Sequence, residues 1–407
     1  MEKSLLDKKV LGSLRIDGTT LYFFAFLINF IPAFLMTSMY STMMPIKIFY
    51  YCSYLSALII LFKIFLFDHF SKSSAWFYMI SIPLLFLTWK ISDSDYAFVT
   101  GMFILGARNI EFKKIVRWYL TAGTSLLILV MISAGLGIIQ NLAYVRDGAL
   151  RQSFGIIYPT DFAAHVFFLL LAYVYLRFKK FTIYDYLLIA IIAAAVYRFC
   201  DARLDVVCIL LILPIVLIAR MITVKNSLNG KKIVALYWIA IPLLTVITIF
   251  VTMFYDASNT IFLKFNEIFS GRLAYSHVGY EKYGFSWLGS HVVEHGWGGE
   301  AGMKAFSGHS ANFTYFMLDS SFVRIFLIYG TIFAIILLGA LITRMIYQIH
   351  IGDYLVPSII LLMLVSSFVD HHILDLAYNP FILVILADLP QRIQTEDFKN
   401  GQVVDSE

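Results

Sequence analysis

Charged side chains are scarce in this sequence. Only 14% of its 407 residues are Asp, Glu, Lys or Arg, whereas a typical soluble domain has about 25%. Hydrophobic residues make up 60% of the chain, and the mean hydropathy is +0.81. This balance excludes an ordinary water-soluble globular protein and predicts a chain that crosses a membrane several times.

Cysteine and strong net charge are lacking as well. The three cysteines, Cys52, Cys200 and Cys208, lie in or beside apolar runs, which does not indicate a disulfide framework. The net charge of +5 is not a nucleic-acid signature, so no nucleic-acid partner is expected.

The N-terminal segment lacks the apolar core and cleavage site of a signal peptide, so we expect the first span to act as an uncleaved insertion signal.

Long apolar runs are abundant. A helix needs about 20 residues to cross the hydrocarbon core, where main-chain groups must bond within the helix. About twelve runs reach or approach this length: 19–38, 46–67, 75–89, 96–107, 116–139, 156–176, 183–198, 204–222, 233–254, 321–343, 354–369 and 372–388. The sequence predicts an all-α, polytopic membrane bundle of about twelve transmembrane helices, with residues 1–407 as one membrane domain.

The basic residues predict the orientation. Most of the 31 Lys and Arg residues fall in the N-terminal segment and in connections that lie on its side of the membrane. Cytoplasmic connections carry an excess of Lys and Arg, so both termini are expected in the cytoplasm. One long connection, 255–320, between the ninth and tenth runs, is then extracytoplasmic.

The 255–320 connection is the place to look for function, because long connections are either functional or disordered and aromatic residues argue against disorder. Its aromatic side chains could stack on sugar rings or anchor the chain at the membrane interface. They are Tyr275, Tyr280, Tyr283, Phe285, Trp287, Trp297, Phe306, Phe313, Tyr315 and Phe316. The segment also carries His277, His291, His295 and His309.

Six arginines are expected on the extracytoplasmic side, where topology does not favour them. They are Arg146, Arg151, Arg198, Arg203, Arg272 and Arg324. The guanidinium fork binds phosphate through two parallel hydrogen bonds. The alternative is that each arginine pairs with a nearby acid, for which Asp147, Asp201 and Asp205 are available. Helical spacing would place Arg198, Asp201 and Asp205 on one face.

Two acidic positions have competing interpretations. Asp319, just before a span, is a candidate acid or base, or it satisfies free amides at a helix N-terminus. The cluster of Asp370, His371 and His372 with Asp375 has residue types that bind metals. Adjacent residues on a helix do not share a face, however, so a polar hairpin is favoured there.

Four stretches together resemble the Wzy-type polymerases of bacterial O-antigen, capsule and exopolysaccharide repeat units. They are RNIEFKKIVRWYL at 108–120, RQSFGIIYPTDFAAHV at 151–166, DARLDVVCILL at 201–211, and IFSGRLAYSHVGYEKYGFSWLGS at 268–290 followed by YFMLDSSFVRIFLIYG at 315–330. Asp161 and Ala202 depart from the family pattern, in which asparagine and serine are usual. The resemblance covers roughly residues 100 to 350.

The resemblance implies a fold like that of the C-class (GT-C) glycosyltransferases in the bacterial cytoplasmic membrane. The implied reaction joins polyprenyl-diphosphate-linked oligosaccharides at the outer membrane face, without a cofactor, nucleotide sugar or metal ion. Arg151, Arg203 and Arg272 would bind the diphosphates; Arg272 would stabilise the leaving group, and Asp319 or else His309 would be the base. Membrane lipid and a chain-length regulator are the implied partners.

Two alternatives remain open from the sequence. A ligase of the O-antigen type would use the same donor and a different acceptor. A flippase or other transporter of lipid-linked sugars would place its polar residues at mid-membrane, whereas most charged residues here fall in connections.

Overall fold

The computed structural model describes residues 17–68, 71–308 and 314–389. The first half of this chain forms α1 (Gly18–Met36), α2 (Ile46–Phe67), α3 (Lys72–Ser92), α4 (Tyr96–Gly106), α5 (Phe112–Gly135), α6 (Pro159–Arg177), α7 (Ile183–Cys200) and α8 (Arg203–Lys225). The second half forms α9 (Leu228–Val234), α10 (Ala240–Phe254), α11 (Thr260–Ile268), α12 (Arg272–Tyr283), α13 (Gly299–Phe306), α14 (Ser321–Arg324), α15 (Thr331–His350) and α16 (Leu355–Val369).

Among the described residues, nine helical stretches are long and apolar enough to cross a membrane. They are Gly18–Met36, Ile46–Phe67, Ala75–Ser92, Phe112–Gly135, Pro159–Lys180, Ile183–Cys200, Arg203–Lys225, Leu228–Phe254 and Thr331–His350. Two shorter apolar helices are α4 and α16. The chain is therefore a multi-pass, helical membrane protein, as its composition predicts.

The last predicted span, 372–388, is not a membrane helix, so the prediction is wrong for that run. The chain there forms two short 3₁₀ segments, His372–Leu374 and Pro380–Ile385. Asn379 interrupts the run because its side chain bonds to the Phe381 amide and the Ile373 carbonyl. Pro380, which follows it, has no amide to continue a helix. This segment is almost wholly buried, so surrounding protein shelters its irregular backbone from lipid.

The predicted span at 321–343 is divided at Gly330. Residues Ile325–Tyr329 form a π-helical turn after α14, and α15 begins at Thr331. Gly330 has a φ of 92°, and a Cβ there would lie 2.3 Å from the Gly289 amide nitrogen. The break therefore lets the long connection cross the helix backbone closely, and Thr331 donates to the Ser286 carbonyl at 2.9 Å.

Helix α16 lies in the centre of the bundle, where it packs on α6, α8, α10 and α15. Nearly all of its side chains are buried. A helix that is apolar all round belongs in such a position. At about 1.5 Å per residue it is too short to cross the hydrocarbon core alone. Its C-terminal end at Val369 therefore brings Asp370 inside the protein.

Several connections meet at one end of the bundle, which we call the site end. The Met39 amide donates to the Gly155 carbonyl at 2.8 Å, the Gly299 amide to the Ile157 carbonyl at 3.0 Å, and the Ser321 amide to the Asp370 carbonyl at 3.1 Å. At the opposite end, Phe112 donates to the Asp388 carbonyl at 2.7 Å. The Arg151 Nε also donates to the Cys200 carbonyl at 2.9 Å. The connection 255–320, with helices α11, α12 and α13, thus belongs to the same end as the turns after α5 and α7.

A β-hairpin between α5 and α6 qualifies the all-α prediction. Strands β1 (Ala143–Arg146) and β2 (Ala149–Gln152) pair antiparallel, with Tyr144 opposite Arg151. Asp147 and Gly148 form the two-residue turn, and both have positive φ, as a type I′ turn requires. The hairpin directs Arg151 into the protein against the end of α7.

We expect the site end to face outward. Among variants in which the three native cysteines are serine, a cysteine at Ser290 or Ser307 should react with an impermeant thiol reagent in spheroplasts. A cysteine at Asn226, which is exposed at the end of α8, should react only after the membrane is permeabilised. The opposite labelling pattern would overturn the orientation derived from Lys and Arg bias.

Candidate functional site

Arg272 lies at the centre of the site end. It begins α12 directly after Gly271, whose φ of 88° turns the chain out of the preceding segment. Its Nε donates to the Val369 carbonyl at 2.7 Å, which fixes the side chain against the end of α16. Among the residues that the structure describes, Nη1 and Nη2 make only long contacts, at 3.4 Å to the Phe269 carbonyl and 3.6 Å to Asp370. The outer edge of the guanidinium is therefore held in place but weakly bonded.

Three carboxyl groups surround Arg272. Asp319 lies 3.4 Å from Nε and Asp370 lies 3.6 Å from Nη2. The Asp205 side chain, from the first turn of α8, hydrogen-bonds to Asp370. Burial raises the pKa of Asp319 and of Asp370, and the positive charge of Arg272 opposes the shift in both. The site thus has carboxyl groups able to hold or accept a proton beside a fixed cation.

The predicted role of Asp319 as a helix cap has no support in its contacts. The residue at the N-cap position of α14 is Ser320, and within the described ranges no side-chain capping hydrogen bond is formed there. Asp319 instead lies 3.4 Å from Arg272, and its role as an acid or base stays a prediction. His309, the other candidate base, lies outside the described residues.

Arg151 is buried, with 1% of its surface exposed. Its Nε donates to the Cys200 carbonyl at 2.9 Å and its Nη1 to the Tyr158 hydroxyl at 3.3 Å. Nη2 has no hydrogen-bond partner among the described residues, nor does any acid there form an ion pair with Arg151. A buried cation without a countercharge is costly, which is typical of a group that binds an anionic ligand.

Arg203 is arranged differently. It lies at the start of α8 with its side chain 59% exposed, and it pairs with Asp201 at 3.0 Å and Asp147 at 3.8 Å. Arg146 binds the same Asp201 at 2.7 Å. Burial alone would raise the pKa of Asp201, but the hydrogen bonds from Arg146 and Arg203 outweigh it and lower that pKa. For these two arginines the contacts follow the acid-pairing alternative.

The predicted shared face of Arg198, Asp201 and Asp205 is wrong. Asp201 has a left-handed backbone, with φ of 44°, and it ends α7. Arg198 is therefore on α7, whereas Asp205 is on α8 and contacts Asp370. Helical spacing cannot be applied across such a break.

Aromatic rings connect the surroundings of Arg151 with those of Arg272. Each ring centroid lies 4.8–5.5 Å from the next, and Trp297 and Tyr315 are stacked. In order, these rings belong to Tyr158, Tyr144, Phe306, Trp297, Tyr315 and Tyr275. Four of them come from the aromatic set noted in the long connection. They join the hairpin to that connection.

The side chains of Asp370, His371, His372 and Asp375 do not converge on one point, although the rings of His371 and His372 lie 4.1 Å apart. Asp370 contacts Arg272, whereas His372 lies 3.9 Å from Asp161 and stacks on Tyr378. His371 and Asp375 line a separate cavity. Within the described ranges, no three His, Cys, Asp or Glu side chains are grouped so that they could hold a metal ion.

Sequence reasoning noted Asp205 as a possible arginine partner and Asp161 as a departure from the family pattern, but it did not assign either residue to the site. Asp161 lies in the first turn of α6, where it approaches His372, and Asp205 lies in the first turn of α8. Glu294 was missed as well, and it binds Arg324 at 2.8 Å. An ionisable residue within an apolar run is itself a signal of function, and it could have pointed to Asp161 and Asp205.

An apolar groove leads to Arg272. It has a volume of about 470 Å³ and lies between α10, α11 and α12, with Ser320, Val323 and Phe368 on its other side. Its walls include Ile247, Phe262 and Phe265, and Arg272 is the one charged side chain that lines it among the described residues. An apolar volume of this size with a few polar groups and one charged anchor is typical of a ligand site.

Comparisons of the chain with models of protein families, with curated proteins and with solved structures gave no match.

Proposed function

We propose that the protein is a polysaccharide polymerase of the bacterial cytoplasmic membrane. It would join polyprenyl-diphosphate-linked oligosaccharide repeat units at the outer face of that membrane. The proposal combines the four sequence stretches that resemble Wzy-type polymerases with the arrangement of groups around Arg272. Its fold would be of the GT-C type, and a chain-length regulator would be its protein partner.

The observation that carries the proposal is the apolar groove ending at Arg272. A polyprenyl diphosphate is a long apolar chain attached to an anion, and this groove joins an apolar surface to a fixed guanidinium. The two weakly bonded nitrogens of Arg272 can give the anion parallel hydrogen bonds. Arg151, buried without an acid partner, would hold a second phosphate, while Arg203 at the exposed rim would contribute less.

The chemistry follows from the charges. The bond between the anomeric carbon and the phosphate oxygen breaks as the acceptor hydroxyl oxygen attacks that carbon. The diphosphate leaves with the bonding electron pair, and fixed cations stabilise this developing charge. Asp319 would take the proton of the acceptor hydroxyl, a general-base role for which it must lie within hydrogen-bonding reach. The products are a longer lipid-linked chain and a free polyprenyl diphosphate.

Deletion of the gene should replace long polymer by single repeat units at the cell surface or on the outer leaflet. A polymer of normal length attached to lipid but absent from its final acceptor would instead indicate a ligase. Repeat units confined to the cytoplasmic leaflet would indicate a flippase. Either of the last two results would refute the polymerase assignment, and restoring the intact gene on a plasmid controls for effects on neighbouring genes.

A further inference from the structure

A second cavity lies beside the Arg272 site and differs from the apolar groove in its chemistry. It has a volume of about 150 Å³, and its lining includes Tyr96, Arg324, Tyr329, His371 and Asp375. The short helix α14 separates the two spaces. Ser320 and Val323 face the groove, while Ser321 and Arg324, each one position further along, face the cavity.

Some polar groups of this cavity are bonded to other protein groups: the Tyr329 hydroxyl to Ser94 at 3.0 Å, and the Ser321 hydroxyl to the Asp370 carbonyl at 2.5 Å. Other polar groups of the cavity retain bonding capacity. Within the described part of the chain, neither the Tyr96 hydroxyl nor the ring nitrogens of His371, which line the cavity, take part in a hydrogen bond. Asp375 uses one carboxylate oxygen to cap the Ala377 amide at 2.9 Å, which leaves the other free. Arg324 uses Nη1 for Glu294 and the Leu318 carbonyl. Its other nitrogens remain available at the cavity.

The mixture of groups indicates what would bind there. Donors from Arg324 and Tyr96 face an acceptor on Asp375, and His371 can serve in either role. Glu294 already compensates the charge of Arg324 at 2.8 Å, and Asp375 adds a further carboxylate. The acids beside Arg272 lie further away, at 3.4 Å and 3.6 Å, so Arg324 offers a phosphate less uncompensated positive charge than Arg272 does. A ring bearing several hydroxyl groups needs no free cation and can satisfy the donors and acceptors together.

We propose that this cavity binds one sugar residue of the repeat unit and selects for its hydroxyl groups. The inference rests on the proposed function, because it assigns the lipid to the groove, the diphosphate to Arg272 and a sugar to the space across α14. His371 follows Asp370 directly in the chain, so the two sites are adjacent. The residues that determine sugar specificity would then include Asp375, His371 and Arg324.

The test uses purified full-length protein in detergent and the oligosaccharide released by mild acid from the lipid-linked repeat units of the source cells. Calorimetry should show binding to the wild type. Asp375→Asn and His371→Gln should each weaken it about tenfold or more, because each removes a hydrogen bond to a buried ligand. Both substitutions preserve size, and matched controls are Glu281→Gln and His291→Gln, which lie exposed at the same end.

Inorganic pyrophosphate, titrated in parallel, separates a sugar site from an anion site. Its affinity should be the same in Asp375→Asn as in the wild type. Tighter pyrophosphate binding in that variant would show that the cavity takes an anion and would overturn the proposal. Unchanged oligosaccharide binding in both variants, with monodisperse protein, would overturn it as well.

The two proposals can fail separately. If the wild type polymerises repeat units but does not bind the released oligosaccharide, the cavity assignment is wrong and the polymerase assignment stands. If it binds the oligosaccharide through Asp375 and His371 but forms no polymer, the polymerase assignment is wrong and the sugar site stands.

Discussion

Replacing Arg272 by lysine should reduce polymer synthesis by about 100- to 1,000-fold, or roughly 3–4 kcal/mol, by analogy with loss of an oxyanion donor. A lysine keeps the positive charge but loses the planar fork that binds phosphate through two hydrogen bonds. It also cannot bond to the Val369 carbonyl and present two further nitrogens to the groove at the same time. The measurement is polymer length and amount, normalised to the protein level in the membrane.

Arg198→Lys is the matched control, because Arg198 is exposed at the same end and has no role in the proposed reaction. Arg203→Lys should also have a small effect, since exposed ion pairs contribute about 0–1 kcal/mol. Normal polymer from Arg272→Lys would contradict the catalytic assignment. A loss of polymer explained wholly by a loss of folded protein would reduce Arg272 to a structural residue.

Asp319→Asn should lower the rate of polymerisation by about 100- to 10,000-fold if Asp319 is the general base. Burial raises the pKa of Asp319, although Arg272 and Arg324 oppose the shift. The wild-type rate should therefore fall as the pH drops through this raised pKa, at a higher pH than for an ordinary aspartate. This fall in rate at low pH, the acidic limb of the pH profile, should be missing in Asp319→Asn and should remain in Glu281→Gln.

Asp370 is the competing candidate, because it also touches Arg272 and burial raises its pKa too. If the acidic limb persists in Asp319→Asn and disappears in Asp370→Asn, the base is Asp370. An unchanged rate in Asp319→Asn, at normal protein level, would exclude Asp319 from proton transfer. Comparing kcat with KM separates this role from substrate binding.

The helices were largely predictable because a span needs only a long apolar run, and this signal is local in the sequence. The prediction failed at 372–388, where Asn379 and Pro380 interrupt an apolar run that the protein buries without a helix. It missed the break at Gly330, which depends on the close approach of Gly289 from the long connection. The Asp147-Gly148 turn of the hairpin was readable from sequence, since this pair favours a type I′ turn.

The candidate site was predictable only in part. Arg272 and Asp319 flank the same long connection, and the structure places them 3.4 Å apart. The contacts of Asp370 with Arg272 and with Asp205 could not be predicted, because they depend on how α8, α12 and α16 pack. The sequence predicts one role for Arg203 and Arg272 only because both are arginines expected on the extracytoplasmic side of the membrane. The actual partners of Arg203 are Asp201 and Asp147.

The most direct measurement is polymerisation by the purified protein, supplied only with polyprenyl-diphosphate-linked repeat units, in detergent and with EDTA present. We expect a ladder of polymer lengths, with one polyprenyl diphosphate released for each new linkage. A requirement for a divalent ion would instead indicate a metal site, for which the candidate ligands are Asp370, His371, His372 and Asp375. The absence of both polymer and released polyprenyl diphosphate, from protein that is folded and bound to its lipid substrate, would contradict the account.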